Sequence, residues 1–75
     1  MKVLFFGSLV EKAGTTELSI SSIHSLTALK EHVFKTYPAL TDKVFAIAVN
    51  EAIVAEDMLL KENDEVAFMP PFSGG

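Results

Sequence analysis

The chain has 75 residues, enough for one domain with a small core and no second one. A hydrophobic fraction of 49% with 21% charged residues is a globular balance, and the lack of cysteine excludes disulfides, thiolate zinc sites and a cysteine nucleophile. Ten acidic residues against six lysines and no arginine leave a net charge of −4, which argues against nucleic acid as a partner and removes the usual bidentate phosphate clamp.

No apolar run approaches the ~20 residues of a membrane span, and no signal-peptide cleavage pattern is present. The expectation is a cytoplasmic protein with no membrane partner, too small to enclose a self-sufficient active site.

Lys2 to Ser8, rich in β-branched and aromatic residues and closing at Gly7, predicts a first strand. A loop is expected through Glu11, Lys12, Ala13 and Gly14. Thr16 to Ile20 then alternates, with Leu18 and Ile20 on one face, as the second arm of an antiparallel hairpin.

Ser25 fits a helix N-cap, and Leu26, Leu29, Val33 and Tyr37 recur on one helical stripe. Pro38 stops the helix, which the pattern places at residues 26–36. Val44 to Asn50 reads as a largely apolar central strand, turned by Asn50-Glu51 into a short partner, Ala52-Ile53-Val54. A single 3₁₀ turn is expected within Glu56 to Leu60. Glu62-Asn63-Asp64 reads as a turn with Asn63 suited to a left-handed conformation. A last strand, Glu65 to Met69, ends at Pro70-Pro71.

The resulting order, β-β-α-β-β-β, predicts an α+β fold in which one main helix covers a mixed sheet of four to five strands. That arrangement is the ubiquitin-like β-grasp. Residues 1–69 form the domain on this reading, and residues 70–75 an extended C-terminal tail.

Side-chain chemistry is sparse. His24 and His32 lack metal-ligand spacing and read as surface imidazoles. Glu56-Asp57 and Glu62, Asp64 and Glu65 do not match an EF-hand and read as solvated loop faces suited to a basic partner. Gly7 and Gly14 stand alone, so no phosphate-cradling loop is expected, and neither a bound cofactor nor a metal.

The first strand carries more apolar residues than one face can use. With Val3 and Phe5 turned inward beside Val66 and Phe68, Leu4, Phe6, Ala67 and Met69 fall on the open face. Leu4, Phe6 and Met69 are therefore expected to form an apolar docking patch. The tail, Pro70-Pro71-Phe72-Ser73-Gly74-Gly75, is a stiff stem with a tip free of side chains. Six extended residues reach at most ~20 Å, far enough to thread into a partner's active site.

These segments resemble the small subunit of molybdopterin synthase, the MoaD-type sulfur carriers. Val3-Leu4-Phe5-Phe6-Gly7 is similar to that family's first strand, and Ala48-Val49-Asn50-Glu51 to its central strand and turn. The most specific likeness is the closing stretch from Asp64 to Gly75. Two departures are Asn63, where the family often has glycine, and Phe72, bulkier than the usual valine.

The resemblance implies a sulfur carrier whose Gly75 carboxylate is adenylated by a MoeB-type enzyme using ATP, then converted to a thiocarboxylate. Gly74, Ser73, Phe72, Pro71 and Pro70 would position that terminus inside a MoaE-type large subunit, in a heterotetramer of two small and two large chains. Sulfur would pass there to cyclic pyranopterin monophosphate (precursor Z) for molybdenum cofactor biosynthesis. Other readings of the same features are a thiamine-type sulfur carrier, a ubiquitin-like protein modifier and a plain binding module. Removing Gly74 and Gly75 would leave only the last of these active.

Overall fold

Alternation along the first strand sets the architecture. In the computed structural model, which describes residues 1–42 and 45–70, β1 (Lys2–Phe5) buries Val3 and Phe5 and leaves Lys2 and Leu4 on the other face. It pairs antiparallel with β2 (Glu17–Ser19) and parallel with β5 (Glu65–Met69). β5 in turn pairs antiparallel with β3 (Ala46–Val49), whose other edge holds β4 (Ala52–Val54). The result is a mixed five-stranded sheet in the order β2-β1-β5-β3-β4.

Helix α2 (Leu26–Thr36) lies across one face, at the residues its apolar spacing predicts. The Ser25 hydroxyl accepts the Ala28 N–H at 3.1 Å, satisfying one of the donors left free at a helix start. A second donor, the Thr27 N–H, reaches Asp57 Oδ1 at 2.8 Å. Leu26, Leu29 and Val33 are buried against Val3, Phe5, Ile47, Val49, Val66 and Phe68. Tyr37 stands at the helix end with its ring edge-on to Phe5, centroids 5.6 Å apart. Fully burying a side chain such as Leu29 or Phe68 contributes about 1.5–3 kcal/mol, so this layer holds the domain together.

Several expectations need correction. The first strand stops at Phe5 rather than running to Ser8, and the expected loop contains a helix, α1 (Ser8–Ala13). Leu9 and Ala13, four residues apart, are buried, and Gly14 closes the helix in a left-handed conformation, its N–H donating to Val10 O at 2.8 Å. So short a helix owes its stability to packing rather than propensity. The observed order is thus β-α-β-α-β-β-β, with α2 the main helix.

Pro38 ends α2 as expected, and Pro38–Leu40 forms a 3₁₀ turn that buries Leu40. No such turn forms within Glu56 to Leu60. That stretch bends at Glu56 instead and forms an isolated bridge, with Leu59 opposite Ser25 and the Leu60 N–H donating to His24 O at 2.8 Å. Asn63 keeps a negative φ, because the turn is closed by Asp64, whose Oδ2 accepts the Lys61 N–H at 2.8 Å. The start of the expected Val44–Asn50 strand lies outside the described residues, and the ladder begins at Ala46. Among the described residues no helix is long and apolar enough to cross a membrane.

Candidate functional site

The sheet face opposite α2 has no covering layer among the described residues, and the strand registers dictate what it presents. Leu4 pairs with Ala67, Ala67 with Ala48, and Ala48 with Ile53, so these four side chains form one row across four strands. Met69 lies one pleat along β5, and Phe6 follows β1 with its N–H on Phe68 O at 3.1 Å. The two alanines in the central strands leave a depression between larger neighbours. It is a cleft of about 380 Å³ lined by Leu4, Phe6, Ala48, Glu51, Ile53, Glu65, Ala67 and Met69.

Phe6 remains 46% exposed and Ile53 61% exposed. Exposed apolar side chains gathered on one face give the cleft the character that a docking surface needs. The sequence-predicted residues Leu4, Phe6 and Met69 are therefore brought together. Ile53, Glu51, Glu65 and Ala48 join them unforeseen. The signal for Ile53 was present: a two-residue turn at Asn50-Glu51 forces Ala48 opposite Ile53, on the same face as Leu4.

That turn is itself informative. Asn50 and Glu51 have φ values of 50° and 70°, both left-handed, as the tight hairpin requires. Asparagine tolerates this conformation, whereas glutamate there is strained where glycine would be free. The Asn50 side chain locks the turn to β5: its Nδ2 donates to Asp64 Oδ1 at 3.0 Å, and its Oδ1 accepts the Glu65 N–H at 3.0 Å. The bond from Asn50, followed by that from the Lys61 N–H, holds the Asp64 carboxyl below its ordinary range. Asp57 is lowered in the same direction, first by the Thr27 N–H at the start of α2. Both aspartates thus serve the scaffold. Of the acidic residues expected to be solvated loop faces, Glu56 and Glu62 are exposed, Asp57 and Asp64 take this scaffold role, and Glu65 lines the cleft.

At the far end of β5, Pro70 presses on the end of β1. A Cβ on Gly7 would lie 2.6 Å from Pro70 Cγ, and the φ of +58° at Gly7 also suits glycine, so the missing side chain permits the close approach. The first residue of the predicted stem therefore sits beside Phe6 and Met69. Pro71, Phe72, Ser73, Gly74 and Gly75 lie outside the described residues. His24 and His32 are exposed and belong to the α2 side of the molecule, and no cluster of three potential metal ligands exists among the described residues.

Relatives of known identity align with the whole chain. The molybdopterin synthase sulfur carrier subunit of Escherichia coli (strain K12) is 36% identical, the alignment covering 100% of this chain and 99% of that protein. The small archaeal modifier protein 1 of Methanosarcina acetivorans superposes with a TM-score of 0.80 at 30% identity, covering 99% of this chain and 94% of that one. A chain from the Helicobacter pylori complex of subunits 1 and 2 of molybdopterin-converting factor superposes with a TM-score of 0.73 at 26% identity, covering 99% and 96%. The ubiquitin-like β-grasp topology is common to this chain and these neighbours. The profile of the ThiS family matches residues 3–75, and the chain belongs to that family.

Proposed function

We propose that this protein is the sulfur carrier of a molybdopterin synthase, working in the cytoplasm. The observation that carries the reading is the open apolar face, which runs along β1 and β5 to Met69 and Pro70, the root of the Gly-Gly segment. The end-to-end identity with the Escherichia coli sulfur carrier supports it. So does the likeness to a subunit that was solved bound to the second subunit of its converting factor.

On this reading Leu4, Phe6 and Met69 dock on the large synthase subunit. Pro70, Pro71, Phe72 and Ser73 hold the stem, Gly74 allows close backbone approach, and Gly75 is the residue that reacts. A carboxylate is a poor electrophile and must be activated before sulfur can replace oxygen. An adenylating enzyme of the MoeB type uses ATP: the Gly75 carboxylate attacks the α-phosphate, pyrophosphate leaves, and a sulfur donor then displaces AMP to give a thiocarboxylate. Sulfur passes to cyclic pyranopterin monophosphate in the large subunit's site, the Gly75 carbon–sulfur bond breaks, and water supplies the oxygen that returns Gly75 to a carboxylate. This chain's own contribution is to bind and to aim. The general acid, general base and phosphate-binding groups belong to the partner in a heterotetramer of two small and two large chains.

Incubating the protein with an activating enzyme, ATP and a sulfur source, then measuring intact mass, tests the reading. Exchange of one terminal oxygen for sulfur is expected, and an unchanged mass with a competent enzyme contradicts it. A second reading, conjugation of Gly75 to lysines of other proteins, is favoured by the likeness to the archaeal modifier protein. Its signature would be higher-mass adducts carrying an isopeptide bond, lost when Gly74 and Gly75 are removed.

A further inference from the structure

The same cleft carries a pair of acidic side chains that apolar docking alone does not explain. Its floor is Leu4, Ala48 and Ala67, its walls are Phe6, Ile53 and Met69, and its remaining lining is Glu51 and Glu65. An apolar occupant gains by burying the floor and walls. It would also strip water from the two carboxylates, which is costly unless a positive group arrives with it. An anionic occupant, such as a phosphorylated small molecule, is repelled by the same carboxylates and by the net charge of −4.

We propose that the cleft receives an apolar side chain of the large synthase subunit with a lysine or arginine beside it, and that Glu51 and Glu65 read that cation. This rests on the carrier reading above and deepens it by naming the chemistry of the partner's contact.

The two carboxylates are not equivalent. Glu65 pairs across β1 and β5 with Lys2, so a cation of its own chain stands next to it. Glu51 lies outside the ladder, at the second central position of the hairpin turn, with φ of 70° where glycine would be unstrained. The turn therefore places a carboxylate at the cleft at the expense of local backbone ease. Glu51 is accordingly the main determinant of charge specificity, and Glu65 supports it.

Affinity of the folded full-length chain for the purified large subunit, measured calorimetrically at low and high salt, tests this. Wild type should weaken with added salt. Glu51→Lys should bind about tenfold or more weakly at low salt. Glu51→Gln with Glu65→Gln should lose most of the salt dependence. Glu51→Gly should melt higher than wild type and yet bind more weakly, a combination that a purely structural turn residue would not produce.

Unchanged affinity and salt dependence in the Gln-Gln variant, or wild-type binding by Glu51→Lys, overturns the inference while leaving the carrier role intact. A wild-type chain that fails to bind the large subunit at all overturns the carrier reading with it. A free chain that sediments as a dimer dispersed by Glu51→Lys would assign the cleft to a second copy and overturn the proposal as well.

Discussion

The two faces of the sheet are built from the same strands and differ in what they bury. On the α2 side, Val3, Val66 and Phe68 are wholly inaccessible and packed against Leu29 and Val33. One residue along each strand, Leu4, Ala67 and Met69 are only partly covered, and Phe6 and Ile53 stand out. A pleat that turns alternate side chains to opposite sides lets four consecutive apolar residues serve two purposes. Val3 and Phe5 serve folding, and Leu4 and Phe6 furnish the open face to which the proposed carrier role assigns docking. The lesson is that apolar content beyond what one helix covers identifies a surface, not a larger core.

Substitutions on the two faces should therefore separate stability from binding. The largest effect is expected for Phe68→Ala, which leaves a cavity beside Phe5 and Phe45 and should cost about 3–5 kcal/mol in urea unfolding. That is a large share of a domain whose total is on the order of 4–11 kcal/mol at ~0.05–0.15 kcal/mol per residue. On the open face, Phe6→Asp or Met69→Asp should leave the domain folded and weaken binding to the large subunit by about 2 kcal/mol, roughly thirtyfold. Persistence of tight binding in both variants would break the division of labour between the faces.

Smaller effects sharpen it. Ser25→Ala removes the acceptor for the Ala28 N–H and should lower stability by about 1 kcal/mol with no change in binding. Glu51→Gly should raise stability by about 0.5–1 kcal/mol, read as a higher melting temperature, because it relieves a left-handed glutamate.

The least effect concerns acid. Asp57 and Asp64 have carboxyls lowered from 3.8, so their contribution to stability is complete above that value and is lost as the pH falls through their lower folded values. Asp57→Ala should make the acid limb of a melting-temperature profile shallower, with affinity for the large subunit at neutral pH unchanged.

Much of this was legible from residue order. Helix α2, strand β4 and strand β5 lie where capping, turn chemistry and proline place them, and the inward set Val3, Phe5, Val66 and Phe68 follows from strand alternation. Helix α1 was not foreseen, because six residues give barely two turns and the long apolar start reads as strand through Gly7. Its signals, Leu9 and Ala13 four apart before Gly14, gain weight only once a core exists to pack against.

Asn63 misled for a related reason: a residue able to adopt a left-handed turn need not do so when a neighbour, here Asp64, supplies the closing hydrogen bond. The lining of the open-face cleft was half visible. Leu4, Phe6 and Met69 follow from alternation in β1 and β5, whereas Ile53 and Glu51 required knowing that β4 sits at the sheet edge beside β3.

Sulfur transfer in a single turnover is the most direct test of the central claim. Thiocarboxylated protein would be mixed with the large subunit and cyclic pyranopterin monophosphate, and the dithiolene product counted against carrier consumed. Two carrier molecules should be spent per product, each returning as the Gly75 carboxylate, and a chain extended by one residue past Gly75 should yield none. Product formed at full rate from the extended chain, or from carrier never thiocarboxylated, would contradict the account.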